Sequence, residues 1–371
     1  MKKNVVVYGL AIGSYRTQNL IKALLETKEI NTFFFNYEQF WRKTSPFFTA
    51  YLFFTEFMVV LKSHIVIFPA MRHQFTFRYK LAKLLGKQII TDFYVSFYDS
   101  QVIDAKTIDS NSKEAQKHFE RDLKAILLSD CVIFLNEAEA AYYTSLVKVN
   151  LSDIHYKIVP LCVDNRELAY NKYAQSAKAK FTICWWGTYI TLHGLDKILD
   201  AAKILFDEGV DFELYLFGES EEKAIPYKNK IRDLGIEKVV TINNSKSFNN
   251  GKLEPFLIQN CDLALGVFGD SSKARTVFTN KIADAFAMGL PVLSSHSTAM
   301  EDLLSKDQSE IIICGNQPKD IAEAIIALEG DRAKLLAIGK SARRRFDTTF
   351  SYKVFKNKIS SILTSPLWQS P

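Results

Sequence analysis

The stretch Phe181-Thr182-Ile183-Cys184-Trp185-Trp186-Gly187-Thr188-Tyr189-Ile190-Thr191-Leu192-His193-Gly194-Leu195 decides the fold. Its first six residues are apolar apart from Thr182 and read as a strand buried on both faces, the kind found in parallel sheets. From Leu195 the period changes. Leu195, Ile198, Leu199, Ala202 and Leu205 recur at helical spacing. A loop containing Gly187 joins the two. Strand, glycine loop and helix in that order open a βαβ unit. Free N–H groups and the helix dipole make such a loop suited to phosphate. An ordinary turn uses the same residues, and spacing alone does not choose between them.

The alternation extends in both directions. Ahead of this stretch, strand-like runs occupy 5–8, 32–35, 65–68, 88–91, 131–135 and 157–159, with helical patterns between them, such as 113–128. After it, runs occupy 213–217, 239–242, 263–267, 291–294 and 311–314. The pattern pauses over 166–180, where 171–180 is polar and without a core period, and reads as the linker. The expected architecture is α/β, with two doubly wound Rossmann-like domains, 1–170 and 171–371, facing across a cleft at the carboxyl ends of their strands. Residues 343–363 read as a closing helix.

A chain of 371 residues, 48% hydrophobic and 24% charged, has apolar surface for two cores. The net charge of +6 fits an anionic substrate or an anionic membrane surface. Nucleic acid is the weakest partner, since no RNP motif, finger spacing or dense basic tract is present. The five cysteines form no CxxC pair and read as reduced, buried thiols of a cytoplasmic protein, with no metal site. Met1-Lys2-Lys3 runs straight into an apolar strand, which is not the pattern of a signal peptide. The aromatic stretch 47–61 is too short to span a bilayer and reads as a core helix or an interfacial one.

The chemistry-bearing segment is 266–292. A polar loop containing Lys273, Arg275 and Thr276 leads to Asn280-Lys281-Ile282-Ala283-Asp284, which opens a helix that stops at Gly289 before a strand. Lys281 and Asp284 stand one helical turn apart on one face. A cation there can meet a diphosphate, and a carboxylate can accept hydrogen bonds from ribose hydroxyls. The same pair also fits an acid on the helix dipole beside a solvated lysine. In the first half, Gly13 follows the first strand, Arg72 and His73 follow the third, and Asp92 ends the fourth.

Asn280 to Val292 resembles the P-N-K-x-x-E-A-x-A-x-G-x-P-V stretch of GT-B glycosyltransferases of family 4. Phe181 to Ser220 is similar to that family's glycine-loop segment, with Gly218 in the second part. Lys157-Ile158-Val159-Pro160-Leu161-Cys162-Val163-Asp164, Ser129-Asp130-Cys131-Val132-Ile133 and Phe350-Ser351-Tyr352 resemble its other landmarks. The resemblance implies a metal-independent, retaining hexosyltransferase. Its donor would be a nucleotide-diphospho-sugar of UDP or GDP type, with no further cofactor. Its acceptor would be a glycan or lipid-linked molecule in cell-surface polysaccharide or glycoconjugate synthesis, at the inner face of the membrane. It also implies that a terminal helix, about 346–363, packs back on the first domain.

The resemblance further implies that Asp284 takes the place of the ribose-binding acid and Thr276 that of the first acid of E-x7-E. Thr188 and His193 take the places of the loop cations, and Lys273, Arg275 and Lys281 are expected to restore the lost charge. Asp92, His73 and Thr276 are the expected catalytic positions. Gly13, Gly187, Thr188, His193, Gly218, Lys273, Arg275, Asn280, Lys281 and Asp284 are the expected donor contacts. Two other readings stand beside this one: a non-catalytic subunit that stabilises an active partner, and a sugar-nucleotide epimerase of the same fold. An NAD oxidoreductase is disfavoured, because Gly9-x3-Gly13 is not G-x-G-x-x-G.

Overall fold

The computed structural model describes residues 2–9, 14–35, 46–74, 76–169 and 180–365. The chain divides into two compact units, 1–162 with 353–371, and 163–352. The first holds strands β1 (Lys3–Tyr8), β2 (Ile30–Phe35), β3 (Ile65–Phe68), β4 (Gln88–Asp92), β5 (Cys131–Phe134) and β6 (Tyr156–Ile158). They form one parallel sheet in the order β2-β1-β3-β4-β5-β6. Helices α1 (Tyr15–Glu26), α2 (Pro46–Leu61), α3 (Thr76–Leu84), α4 (Lys113–Leu127) and α5 (Glu137–Leu146) make the crossovers. Local chemistry sets their starts. Ser112 accepts the Ala115 N–H at the head of α4, and Asn136 accepts the Glu139 N–H at the head of α5.

The second unit repeats the plan. Strands β7 (Phe181–Trp186), β8 (Phe212–Phe217), β9 (Val240–Ile242), β10 (Leu263–Leu265), β11 (Val292–Ser295) and β12 (Ile312–Cys314) form a parallel sheet ordered β12-β11-β10-β7-β8-β9. Its helices are α6 (Leu195–Asp207), α7 (Glu221–Leu234), α8 (Leu253–Asn260), α9 (Asn280–Met288), α10 (Ala299–Leu303), α11 (Pro318–Glu329) and α12 (Arg332–Arg345). Every residue of β7 is buried, and the strand pairs with β8 from Phe181↔Phe212 to Trp186↔Phe217. The twelve strands expected from the apolar runs are all present, with ends shifted by one or two residues. The two α/β sheets therefore match the expected fold class. Four cysteines are buried thiols and Cys314 is half-buried.

Three features correct or refine the sequence reading. Residues 163–169 group with the second unit rather than preceding a linker at 171–180, most of which lies outside the described residues. The Val163 N–H bonds to Phe350 O, and Arg166 pairs with Glu254 and Asp284. The closing helix is broken. After α12 and a wider turn at Phe346–Phe350, Ser351 is extended (φ −75°, ψ 152°), and a separate helix α13 (Tyr352–Thr364) follows. Finally, α2, read as a core or an interfacial helix, packs Val59 and Val60 on the core and leaves Phe47, Tyr51 and Phe54 exposed.

From Lys353 the chain belongs to the first unit. Lys356 pairs with Glu26 at 2.7 Å, Ser360 shares a hydrogen bond with Thr27, and Lys3 donates to Leu363 O and Ser365 O. One buried cation ties these parts together. The Arg16 guanidinium donates to both Asp92 oxygens at 2.8–3.2 Å and to Val159 O and Pro160 O, and it lies 4.9 Å from the Phe355 ring centre. Four segments thus meet on one fork: α1, the end of β4, the chain after β6, and α13. Arg16→Leu leaves Asp92 buried without its partner, and the expected cost is about 3–5 kcal/mol. Urea unfolding checks this. A loss near the ~1 kcal/mol of an exposed pair would overturn the assignment.

Candidate functional site

In the second sheet, β8 and β9 lie on one side of β7, and the chain then crosses to β10 on the other. The order reverses between β7 and β10, which is where open parallel sheets bind ligands. The loops leaving these two strands interlock there. His193 O accepts the Phe268 N–H and Leu192 O accepts the Gly269 N–H, both at 3.2 Å. Glycine is required on both sides. Gly194 has φ +64°, and a Cβ on it would stand 2.5 Å from the Phe268 carbonyl carbon. A Cβ on Gly269 would stand 2.4 Å from Leu192 O. Backbone therefore meets backbone, which fixes the height of the loop 187–194 over the sheet.

Under this loop sits the head of α9. Residues Lys281 through Met288 are all buried. The Lys281 side chain rises beside the glycine loop. Its Nζ lies 4.3 Å from the Trp185 ring centre, and a Cβ on Gly187 would be 3.4 Å from its Cε and Nζ and 3.5 Å from His193 Nε2. His193 is 6% exposed and meets Trp185 edge-on at 5.7 Å. Gly187, His193, Lys281 and Trp185 thus converge on one small space.

The polar atoms there are unsatisfied. Lys281 Nζ, His193 Nδ1, Trp185 Nε1 and Thr279 Oγ1 are buried with no hydrogen-bond partner among the described residues. Thr279 precedes α9 without a side-chain capping bond, and the first turn of α9 contains no acid. Burial holds the Lys281 amine well below its usual range. Burial, and then Lys281, hold His193 well below its usual range. A buried donor left unpaired is costly. Several donors and a helix N-terminus therefore favour an anion at this position.

The other expected donor contacts are placed differently. Asp284 is buried and pairs with Arg166 at 3.0 Å. Arg166 also pairs with Glu254 at 3.0 Å and lies 4.0 Å over the Phe248 ring. Burial pushes the Asp284 carboxyl up to about 7, with Arg166 opposing. Gly218 makes room for a ring, since a Cβ there would stand 2.1 Å from Tyr189. Thr276 donates its hydroxyl to Ser272 O and Lys273 O within its own loop. Arg275 is exposed and donates to Asp270 O at 3.0 Å. Lys273, Thr188 and Asn280 are half-buried, and Asn280 begins α9.

In the first unit, Gly13 lies outside the described residues. Asp92 is held by Arg16 as described, and is 1% exposed. His73 is fully buried, with Nε2 at 2.7 Å from Asp122 Oδ1 and its ring between Phe93 and Phe97. Asp122 also accepts from Ser96 Oγ and the Tyr98 N–H. Both expected catalytic positions of this unit are thus engaged inside it, Asp92 in an ion pair and His73 in a polar network. Arg72 is half-buried. Sequence reasoning passed over Arg16, Asp122, Arg166 and Trp185, because no local spacing marks a partner far away in the chain.

Residues 180–331 match the family described as glycosyl transferases group 1. The matched segment lies within the second unit. Among curated proteins this chain is 24% identical over 209 residues to the capsular polysaccharide biosynthesis glycosyltransferase CapM of Staphylococcus aureus, covering 56% of this chain and 52% of CapM. It is 23% identical over 180 residues to the putative colanic acid biosynthesis glycosyltransferase WcaL of Escherichia coli, covering 46% and 41%. The match thus spans about half the length of these relatives. Among solved structures, HepE of Anabaena in complex with UDP and glucose has a TM-score of 0.69 at 13% identity, covering 99% of this chain and 100% of that one. Sucrose-phosphate synthase of Thermosynechococcus elongatus has a TM-score of 0.70 at 14% identity, covering 97% and 98%. The architecture is that of GT-B glycosyltransferases.

The raised pKa of Asp284 gives a pH test. The folded state binds more protons than the unfolded state between about pH 4 and the folded value of about 7. Stability from this group is therefore lost as pH rises through that window. Asp284→Asn, which stays neutral, is expected to gain on the wild type as pH rises from about 5 to about 8. Denaturation midpoints of both proteins across this range check it, and a difference that does not change with pH would overturn it.

Proposed function

We propose that this chain is a retaining glycosyltransferase that takes a sugar from a nucleotide-diphospho-sugar. The donor site is in the second unit, and the acceptor is a glycan or lipid-linked molecule of surface polysaccharide synthesis, met at the cytoplasmic face of a membrane. One observation carries the reading: the buried, unpartnered Lys281 amine beside His193 and Gly187 at the strand-order reversal. A departing nucleoside diphosphate gathers negative charge as the glycosidic bond breaks, and fixed positive groups in a dry site stabilise it. In this reading Lys281 meets the diphosphate, His193 donates to it, and the head of α9 adds its dipole. The complexes of HepE with UDP and with UDP-glucose support a uridine donor. Asp284, one helical turn beyond Lys281, supplies the ribose contact.

A second reading, a non-catalytic subunit, draws on Thr276. It stands in the place of an acid, and its hydroxyl is spent on its own loop. Hydrolysis of the donor or transfer by the purified chain decides between the two.

Thermal shift with UDP, GDP, ADP, CMP and dTDP tests the donor site first. A nucleotide at about 100 times its dissociation constant stabilises by ~2.7 kcal/mol. One diphosphate is expected to stand out, and Lys281→Met to weaken it about ten- to hundredfold, as for a lost hydrogen bond to a charged group. Binding is also expected to take up a proton, because the diphosphate raises the depressed Lys281 pKa. Calorimetry in buffers of different ionisation heat reads that uptake. No nucleotide binding, or unchanged binding by Lys281→Met, would sink the assignment.

A further inference from the structure

Helix α2 carries exposed aromatic side chains over residues 47–54. Phe47 is 88% exposed, Tyr51 64% and Phe54 62%, with Phe48 and Phe53 also exposed. The neighbouring helix α3 continues the patch, with Phe77 61% exposed and its ring 6.1 Å from that of Phe53, and Leu84 84% exposed. Phe77, Lys80 and Leu84 follow one another on one face of α3. Contiguous apolar surface of this kind marks an interaction site.

Charge narrows the partner. The one ionisable carboxylate or cation in α2 is Glu56, which is 3% exposed and paired with Arg78 at 2.9 Å. The outward face of α2 is therefore uncharged. Over residues 57–91 the chain has Lys62, Arg72, Arg78, Lys80, Lys83 and Lys87 and no Asp or Glu. Lys62, just after α2, and Lys80, on α3, are exposed, and Lys87 donates to the carbonyl of Leu61 at the end of α2. Both helices cross a parallel sheet in the same sense. Their N-terminal turns, with Phe47, Tyr51 and Phe77, accordingly lie at the same end of it.

We infer that α2 and the outer face of α3 form a docking surface for an anionic membrane, with the rings of Phe47, Tyr51, Phe54 and Phe77 at the headgroup boundary and Lys62 and Lys80 on lipid phosphates. The helix lies on the bilayer and does not span it. Its 16 residues are fewer than the ~20 needed to cross, and no described helix is long and apolar enough to do so. A second copy is disfavoured as occupant. A two-fold contact through this face would set its cations near one another with no exposed acid of the segment to pair them. The inference deepens the membrane part of the proposed function and uses none of the donor-site residues.

The test is co-sedimentation of the full chain with vesicles of phosphatidylcholine alone and with added phosphatidylglycerol, at low and high salt. Binding to the anionic vesicles at low salt is expected, falling on the order of tenfold with neutral lipid or high salt. Phe47→Ser/Tyr51→Ser/Phe54→Ser is expected to reduce binding about tenfold or more, while its nucleotide thermal shift stays that of the wild type. Lys80→Glu is expected to weaken binding to anionic vesicles only. Failure to sediment at low salt, or full binding by the triple variant, overturns the proposal. So does a concentration-dependent dimer, lost in the triple variant, in a chain that ignores vesicles. A protein that binds vesicles but no nucleotide keeps this inference and removes the donor reading, and the reverse result does the opposite.

Discussion

A lysine amine sealed against an indole face, with no hydrogen-bond partner among the described residues, is the constraint around which the second unit is arranged. Lys281 is carried on a helix whose residues from Ile282 to Met288 are all buried, so its position is set by packing. Trp185, at the end of a fully buried strand, supplies the ring it lies against. Indole attraction offsets part of the cost of holding an ammonium out of water, but not all of it. Burial accordingly holds the proton affinity of this amine well below its usual range. The glycine contacts belong to the same arrangement. Gly194 against Phe268 and Gly269 against Leu192 let two backbones touch, and that contact seats the His193 loop over Lys281.

The buried carboxylates show the opposite use of charge. Asp92 with Arg16, Asp284 with Arg166, and Asp122 with His73 are each closed by a partner distant in sequence. Asp92 and Asp122 each gather several segments onto one carboxylate, through a guanidinium fork in one case and hydrogen bonds in the other. Such pairs fix geometry, and their loss is expensive because it strands a charge. Lys281 has no such partner among the described residues. An unpaired charge in a well-packed protein points to a ligand, whereas a paired one points first to the fold.

This difference explains what could be read from the sequence. Strands β3, β5 and β7 are continuous apolar runs because both faces of a parallel sheet are covered, so local composition locates them. The start of α9 was equally legible, through Asn280-Lys281 before an apolar helix with Gly289 behind it. The candidate site was half legible. Position placed Lys281 and His193 in it, but nothing local said that Trp185 would form its wall. Arg166 across from Asp284, and Arg16 across from Asp92, were invisible, because pairing over 118 and 76 residues leaves no periodic trace. Gly218 shows the limit of reading glycines. Its missing Cβ admits the Tyr189 ring, a need the sequence states no differently from a need for phosphate.

Moving the cation from the loop to the helix changes how a phosphate site behaves. An exposed loop arginine stays charged whether or not an anion is near, and its charge is partly screened by water. A buried lysine can be neutral when alone and become charged as the diphosphate arrives, since the anion favours the protonated form. The field then strengthens when the ligand is present, and in low dielectric it acts with little screening. His193 adds a second group of the same kind, itself held neutral by burial and by Lys281. The absence of loop cations at Thr188 and His193 is therefore not a loss of function by itself. What the proposed diphosphate requires is charge at its oxygens, and the head of α9 can bring that charge from below.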